Sequence, residues 1–501
     1  MVVAHRSFLF FKWNKKMLGL HMGKVAVPDH CPVHDTQYWL EAINEASLVA
    51  NVGKGLLEQS LARKIRDALL ELEREEQVPG AERCQLYIQF EPKLLAKCGM
   101  EGSVLHVGRS SQDILATANA AMNRERIVKL IDATVALQKA LLVLAENEKE
   151  ALVPAYTNGV QAQPTYYSHY LLAQYEIFSR DVTRLQECYE RYNHSPMGSA
   201  VCNGTGWDLD SSRMAMLLGF EAPATNAFDA GQCQGNDLPL EMSQIVTSLM
   251  LHVNAFLADF MTQYAQSRPW VLYVSKNGVY HSSAMPQKRN PGIINDCRRD
   301  AGLVMAAAMN VPLRMQNLAL GMPDVRDAGM MQSLMDDAVF VIYTFKGLVE
   351  NLKVDRERAL AELNADWTCT QEIADSLVRN ANVDFRTGHG FASALVTWAR
   401  TNGKTPASVQ YEEVCACWCE WAKEKNLALE FPLSEEKLRA SMDPALILTH
   451  RRTAGSASPT MIAEQLEVAN AKVNQFQEWV TSVLDFQKKV YQTRKEALAL
   501  L

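Results

Sequence analysis

The sequence predicts an all-α fold with a central bundle of long helices. Two features of the apolar pattern predict it. From about residue 118 to 370 apolar residues recur with a helical period, as in Ile127, Leu130, Leu137, Leu141 and Leu144, in Met242, Ile245, Leu249, Val253, Phe256 and Phe260, and in Leu334, Val341, Phe345, Leu348 and Leu352. Alternating β-branched runs bounded by turn residues are hardly seen. A chain of 501 residues with 48% apolar content can bury a large core, and its length fits about three domains.

In chain order these are an N-terminal helical domain (residues 1–117), a central helix-bundle domain (118–370) and a C-terminal helical domain (371–501). The second boundary follows a reset of the pattern near Asn364 to Trp367, after which Gly388, Gly390, Gly403 and Pro406 shorten the segments. Several central stripes are apolar over more than one face, the pattern of helices that pack on other subunits as well as their own. The first 28 residues carry Arg6, Lys12, Lys15, Lys16 and Lys24 and no acid, which fits an extension ahead of Met17 or Met22, or an organelle-targeting segment.

Composition narrows the function. A net charge of −7 leaves no footprint for nucleic acid or an anionic membrane surface, and no apolar run approaches the ~20 residues that span a bilayer, so a small-molecule ligand is expected. Eleven cysteines are scattered without disulfide spacing, which points to a reducing, cytoplasmic setting. Cys415, Cys417 and Cys419 fall in a stretch that reads as helix, where alternate residues face different ways, so neither metal nor cofactor is expected.

Polar or Gly/Pro-containing breaks fall at Glu101 to Gly108, Pro154 to Pro164, Ser195 to Asp210, Lys276 to Gly292 and Gly321 to Gly329, and they hold the reactive side chains. Ser282-Ser283-Ala284-Met285-Pro286-Gln287-Lys288-Arg289-Asn290-Pro291 combines a hydroxyl pair, two cations and a helix start. With Asn290 as N-cap and Pro291 as first helical residue, free backbone N–H groups and the positive end of a helix dipole would face the loop. That makes an anion site to which Lys288 adds charge.

This stretch resembles the signature Gly-Ser-Ser-x-x-Pro-x-Lys-x-Asn of the fumarase/aspartase superfamily, and its Met-Pro-Gln-Lys form is similar to that of argininosuccinate lyases; His281 stands where the glycine is expected. The resemblance implies that Ser282 is the general base, taking a proton from the carbon next to a carboxylate, that Lys288 and Asn290 hold that carboxylate, and that Ser283 and Met285 border the substrate. A serine hydroxyl is a very weak base unaided. Its alkoxide needs N–H donors and a cation nearby, and the carbanion must spread onto the carboxylate as an aci-carboxylate.

Leu105-His106-Val107-Gly108-Arg109-Ser110-Ser111-Gln112-Asp113-Ile114-Leu115-Ala116-Thr117 resembles the argininosuccinate lyase stretch Leu-His-x-Gly-Arg-Ser-Arg-Asn-Asp-x-x-Ala-Thr. Here Ser111 and Gln112 replace the Arg-Asn pair, and Ser-Gln-Asp is the form of adenylosuccinate lyases and carboxymuconate cycloisomerases. Arg109, Ser110, Ser111 and Gln112 become candidate carboxylate donors, although serine and aspartate ahead of a helix are also ordinary caps.

Tyr156-Thr157-Asn158-Gly159-Val160-Gln161-Ala162-Gln163-Pro164 resembles the family's Tyr-Thr-His-x-Gln-x-Ala-Gln-Pro, which implies that Thr157 and Gln161 bind substrate. The family's relay histidine is Asn158 here, and its glutamate partner is Asn295, so Asn opposite Asn can be satisfied by neutral hydrogen bonds. The leaving nitrogen then takes its proton from water, His106 or His281, or departs unaided. His169, at helical spacing among apolar residues, reads as a core histidine.

Ser195 to Ala200 resembles the pocket turn Pro-Leu-Gly-Ser-Gly-Ala, and Gly321 to Arg326 falls where argininosuccinate lyases read Gly-Leu-Pro-Ser-Thr-Tyr. Arg326 thus stands where a tyrosine helps to hold the arginine moiety. A cation there suits an extra carboxylate, or an ion pair with Asp324 or Asp327. The resemblance, over roughly residues 100 to 400, implies a homotetramer with a twenty-helix core and active sites that draw loops from three subunits. It implies a lyase eliminating an amine from an N-substituted aspartate, argininosuccinate-like or an aminopolycarboxylate, to give fumarate. The alternatives are a carboxymuconate-type cycloisomerase and a non-catalytic, crystallin-like member of the family.

Overall fold

A computed structural model describes residues 26–321 and 329–501. Arg326 and most of the basic N-terminal segment lie outside the described residues.

Helix α1 (Thr36–Gly53) is capped by Asp35, whose carboxylate accepts the Tyr38 N–H at 3.1 Å. α2 (Gln59–Glu76) and α3 (Tyr87–Cys98) pack beside it. α4 (Ser111–Asn147) is the axis of the molecule: 37 residues, or about 55 Å, buried on nearly every side. A hairpin of β1 (Leu152–Thr157) and β2 (Val160–Tyr166) leads to α5 (Tyr167–Tyr192), which lies along α4. After the short α6 (Ser211–Leu217) comes α7 (Gln234–Tyr264). Strand β3 (Val271–Tyr273) and the hairpin of β4 (Val279–His281) and β5 (Arg289–Pro291) precede α8 (Gly292–Met315). α9 (Gly329–Val349) then closes against α4 and α8, and β6 (Leu352–Val354) pairs with β3. Among the described residues, strands are confined to these short pairs and a two-residue bridge, so the all-α expectation holds.

α10 (Arg356–Leu363) sits on the first hairpin. α11 (Thr370–Ala381), α12 (Phe385–Thr401), α13 (Tyr411–Lys425), α14 (Glu435–Met442) and α15 (Pro444–Thr449) enclose an apolar cluster of their own around Phe391, Trp418 and Phe431. α16 (Pro459–Ala499) returns to the main core, burying Ile462, Leu466, Val473 and Phe476 there. At its end Arg494, almost fully buried, meets Glu45 of α1 at 2.9 Å. Cys415, Cys417 and Cys419 lie on α13, and all eleven cysteines are free.

The stretch Asp229–Tyr264 is, by length and composition, long and apolar enough to cross a membrane. Only 44% of its most apolar window is buried in this chain, and Leu251 is half exposed. His169 is only half-buried, not a core residue, because its ring reaches out to the Gly455 carbonyl at 3.0 Å.

Two carboxyls lie side by side between α1 and α2. Gln37 donates to both Glu41, at 3.1 Å, and Glu76. Burial, and then the hydrogen bond with Glu76, push Glu41 from 4.5 up to about 9. A folded-state pKa above the unfolded one means that the protonated form favours the fold. The stability it contributes is therefore full below about pH 4.5 and lost as pH rises through 9. The unfolding midpoint is expected to fall between these limits, and Glu41→Gln to remove that part of the slope; an unchanged slope in the variant would refute the raised pKa of Glu41.

Candidate active site

The signature loop is the tip of the β4–β5 hairpin. Val279 pairs with Pro291, Tyr280 with Asn290 and His281 with Arg289. Extended backbone admits any side chain, which is why His281 can replace the glycine. Asn290 is therefore a strand residue, its amide 3.4 Å from the Tyr280 carbonyl, and not the N-cap expected from sequence. The cap position falls to Pro291 and α8 begins at Gly292, because pairing with β4 draws Asn290 into the ladder. Gly292 is needed there: a Cβ would lie 3.0 Å from the Tyr280 ring and 3.1 Å from the Gly278 carbonyl. The Ile293 N–H bonds the same carbonyl at 2.9 Å, fixing the hairpin to the start of α8.

Within the tip, the Ser282 N–H donates to the Lys288 carbonyl at 3.1 Å and the Lys288 N–H to the Met285 carbonyl at 3.0 Å. Ser282 Oγ accepts from the Ala284 N–H at 3.3 Å and the Met285 N–H at 3.1 Å. This caps a turn, and it also aims two backbone donors at the oxygen that would carry charge as an alkoxide. Ser282 and Asn290 are half-buried, whereas Ser283, Met285 and Lys288 are exposed in the chain.

Residues 109–117 form the head of α4. Ser110 is its N-cap, accepting the Gln112 N–H at 3.2 Å, and Asp113 reaches back to the Ser110 N–H at 2.8 Å. The other Asp113 oxygen accepts from Gly198 at 3.2 Å and Ala200 at 3.1 Å, so this carboxylate ties the pocket turn to the helix. Burial pushes its pKa up, against the pull of those N–H donors. The side-chain amide of Gln112 donates to the Gly231 carbonyl at 3.0 Å, and Gly231 is required because a Cβ would meet the Val201 carbonyl at 2.0 Å.

Arg109 is turned into the protein. Its guanidinium donates to Ser47 and Asn44, both at 3.0 Å, and to the Tyr87 hydroxyl at 3.2 Å, joining the segment to α1 and α3. His106 stacks on Tyr87 with its Nδ1 buried and unpartnered; burial, then Arg109, lower its pKa. Of the four carboxylate donors expected here, Arg109 and Gln112 already hold protein partners and Ser110 is the cap. Ser111, half-buried at the first turn of α4, makes no side-chain hydrogen bond among the described residues.

Thr157, Asn158 and Gln161 lie on the β1–β2 hairpin. Thr157 pairs with Val160, leaving a two-residue loop of Asn158 (φ 51°) and Gly159 (φ 75°). Positive φ at both positions is the conformation that Asn-Gly adopts most readily. Asn158 is thus a turn residue, exposed with Thr157, and Asn295 is exposed on α8. The Gln161 side chain donates to Glu362 Oε1 at 3.1 Å, while its own oxygen is buried without a partner. Nothing lies within 4 Å of a Cβ built on Gly159, so Gly159→Ala pays only in backbone strain. A loss of about 1 kcal/mol is expected, read as faster amide exchange across the hairpin; exchange equal to that of the parent would contradict the assigned turn.

Ser282 and Lys288 thus share one tip, and Ser110 to Gln112 join the 198–200 turn and Gly231. The three segments themselves are anchored apart, on the start of α8, on α1 and α3, and on α10. Asp113 and the Asn-Gly turn were not among the expected site features. Their signals were present, a capping box at Ser110 and Asp113 and the most readily recognised hairpin dipeptide.

Residues 62–305 match a protein family described as lyase. The chain is 30% identical over 441 residues to an argininosuccinate lyase of Methanoculleus marisnigri, covering 85% of each protein. Its fold is similar to that of an EDDS lyase variant with bound fumarate, with a TM-score of 0.84 at 20% identity over 93% of this chain and 91% of that one. It is also similar to a 3-carboxy-cis,cis-muconate lactonizing enzyme from Pseudomonas putida, with a TM-score of 0.62 at 16% identity over 88% and 95%.

Proposed function

Given that the chain belongs to the fumarase/aspartase superfamily, as an argininosuccinate lyase-like C–N lyase, we propose that it eliminates an amine from an N-substituted aspartate to release fumarate, with Ser282 as the base. The observation that carries this reading is Ser282 Oγ, held by the Ala284 and Met285 N–H groups on the tip that also bears Lys288. As the alkoxide, Ser282 takes the proton from the carbon beside the substrate carboxylate. The electron pair passes into that carboxylate, stabilised by Lys288 and the first turn of α8, and returns to form the double bond as the C–N bond breaks. The leaving nitrogen takes its proton from water or from His281 on the same hairpin.

Ser111 and Gln112 in place of an Arg-Asn pair, and Arg326 in place of a tyrosine, favour a substrate with an additional acidic group, an aminopolycarboxylate. The site is completed in a homotetramer. Val143, Leu251, Met309 and Leu313 leave apolar surface exposed on α4, α7 and α8, as helices awaiting neighbouring subunits do. Eleven free cysteines fit a cytoplasmic protein.

A second reading has its own support: the turn-forming Asn158 and the exposed Asn295 replace the relay pair, as in carboxymuconate cycloisomerases. Incubation with fumarate and a panel of amines and amino acids, followed by mass spectrometry, separates the two. An adduct supports the lyase. No adduct, together with turnover of a carboxymuconate, makes it a cycloisomerase, and inertness in both assays makes it a non-catalytic, crystallin-like member.

A further inference from the structure

The described chain enters α1 through a non-helical segment laid along α4. His34 marks one clasp: its backbone N–H and its ring Nδ1 meet Glu125 at 2.8 and 2.6 Å. Asp132 lies seven residues further along α4, hence on the same face, and there His30 Nε2 stands 2.9 Å from its Oδ2. Cys31 follows directly, 2% exposed. The donor atoms of His30, Cys31 and Asp132 all lie within 4.8 Å of one another.

We propose that His30, Cys31 and Asp132 form a binding site for a divalent cation of the zinc type, which fastens the segment ahead of α1 to the bundle. At tetrahedral angles, bonds of roughly 2.0–2.3 Å place donor atoms about 3.4 Å apart, so the trio needs shifts of only about an ångström. An imidazole, a thiolate and a carboxylate favour a borderline-soft ion over magnesium or calcium. Thiolate and carboxylate together balance the two positive charges. The Tyr343 hydroxyl donates to Asp132 Oδ2 at 3.2 Å, the kind of contact that orients a ligating carboxylate. Asp132 and Cys31 are buried, while the His30 side chain is 54% exposed, leaving an open side for a water as fourth ligand. Asp132 lies 21 residues past Ser111, roughly 30 Å along α4, so the site is separate from the head of that helix.

The test is a cobalt(II) titration of the full-length protein after treatment with a chelator. One equivalent per chain is expected, with a thiolate-to-cobalt charge-transfer band that zinc abolishes. Cys31→Ser should remove the band with the far-ultraviolet circular dichroism unchanged. His30→Ala, which alters an exposed ring and leaves the core untouched, should weaken binding about tenfold or more. Cys417→Ser should leave the titration as it is. Absence of the band in the parent protein, its persistence in the Cys31 variant, or unweakened binding in the His30 variant would overturn the proposal.

Discussion

Replacing Ser282 by alanine is expected to lower kcat/KM about 1,000-fold or more, almost entirely through kcat. In the proposed mechanism the hydroxyl is the group that accepts the substrate proton, and no other side chain on the tip offers an oxygen so placed. Ser283 follows it in the loop, but the two backbone N–H groups of Ala284 and Met285 converge on Ser282. Alanine leaves Lys288 and the start of α8 in position, so substrate should still bind and KM should change little. The fold should hold as well, because the lost contacts are two turn hydrogen bonds worth about 1 kcal/mol each in a largely exposed loop. Steady-state rates of the parent protein and the variant, in either direction of the reaction, check this. Turnover retained within tenfold would remove Ser282 from the role of base.

The second large effect is expected at Lys288. Lys288→Met should cost about 100-fold or more and, unlike the serine change, should raise KM as well as lower kcat. In the proposed mechanism the ammonium meets the carboxylate in the bound substrate and meets it again, more strongly, once the carbanion's charge has passed onto it. One cation thus serves ground state and transition state, to different degrees. Lys288→Arg keeps the charge on a broader, planar group and should recover only part of the activity. A methionine variant with normal KM would show that Lys288 does not hold the substrate.

How much of this was legible beforehand differs from residue to residue. The stripes through Ile127, Met242 and Leu334 mark helices plainly, because burial imposes a period that packing then confirms. The signature tip was legible as an ordered string. Its backbone was not: Asn290 followed by Pro291 reads locally as a cap and a first turn, and only the pairing of Tyr280 with Asn290 turns it into a strand. Pairing partners that far apart leave no local trace. Arg109 shows a related limit. A cation beside Ser110 and Ser111 reads as a carboxylate ligand, but its partners Asn44, Ser47 and Tyr87 come from other helices. Asn158 is the opposite case. Read against a family histidine it looks like a lost relay, yet with Gly159 it is a sufficient local instruction for a tight turn.

In the proposed tetramer the tip of one subunit acts on substrate held by the α4 head and the first hairpin of others. Mixed assemblies test this most directly. Subunits carrying Ser282→Ala are refolded or co-expressed with subunits carrying both Ser111→Ala and Thr157→Val, each parent being impaired on its own. If sites form between chains, some will combine an intact tip with an intact α4 head and hairpin, and the mixture should be several-fold more active than either parent. A mixture no more active than the average of its parents would mean that each chain builds its site alone, contradicting a site shared between subunits.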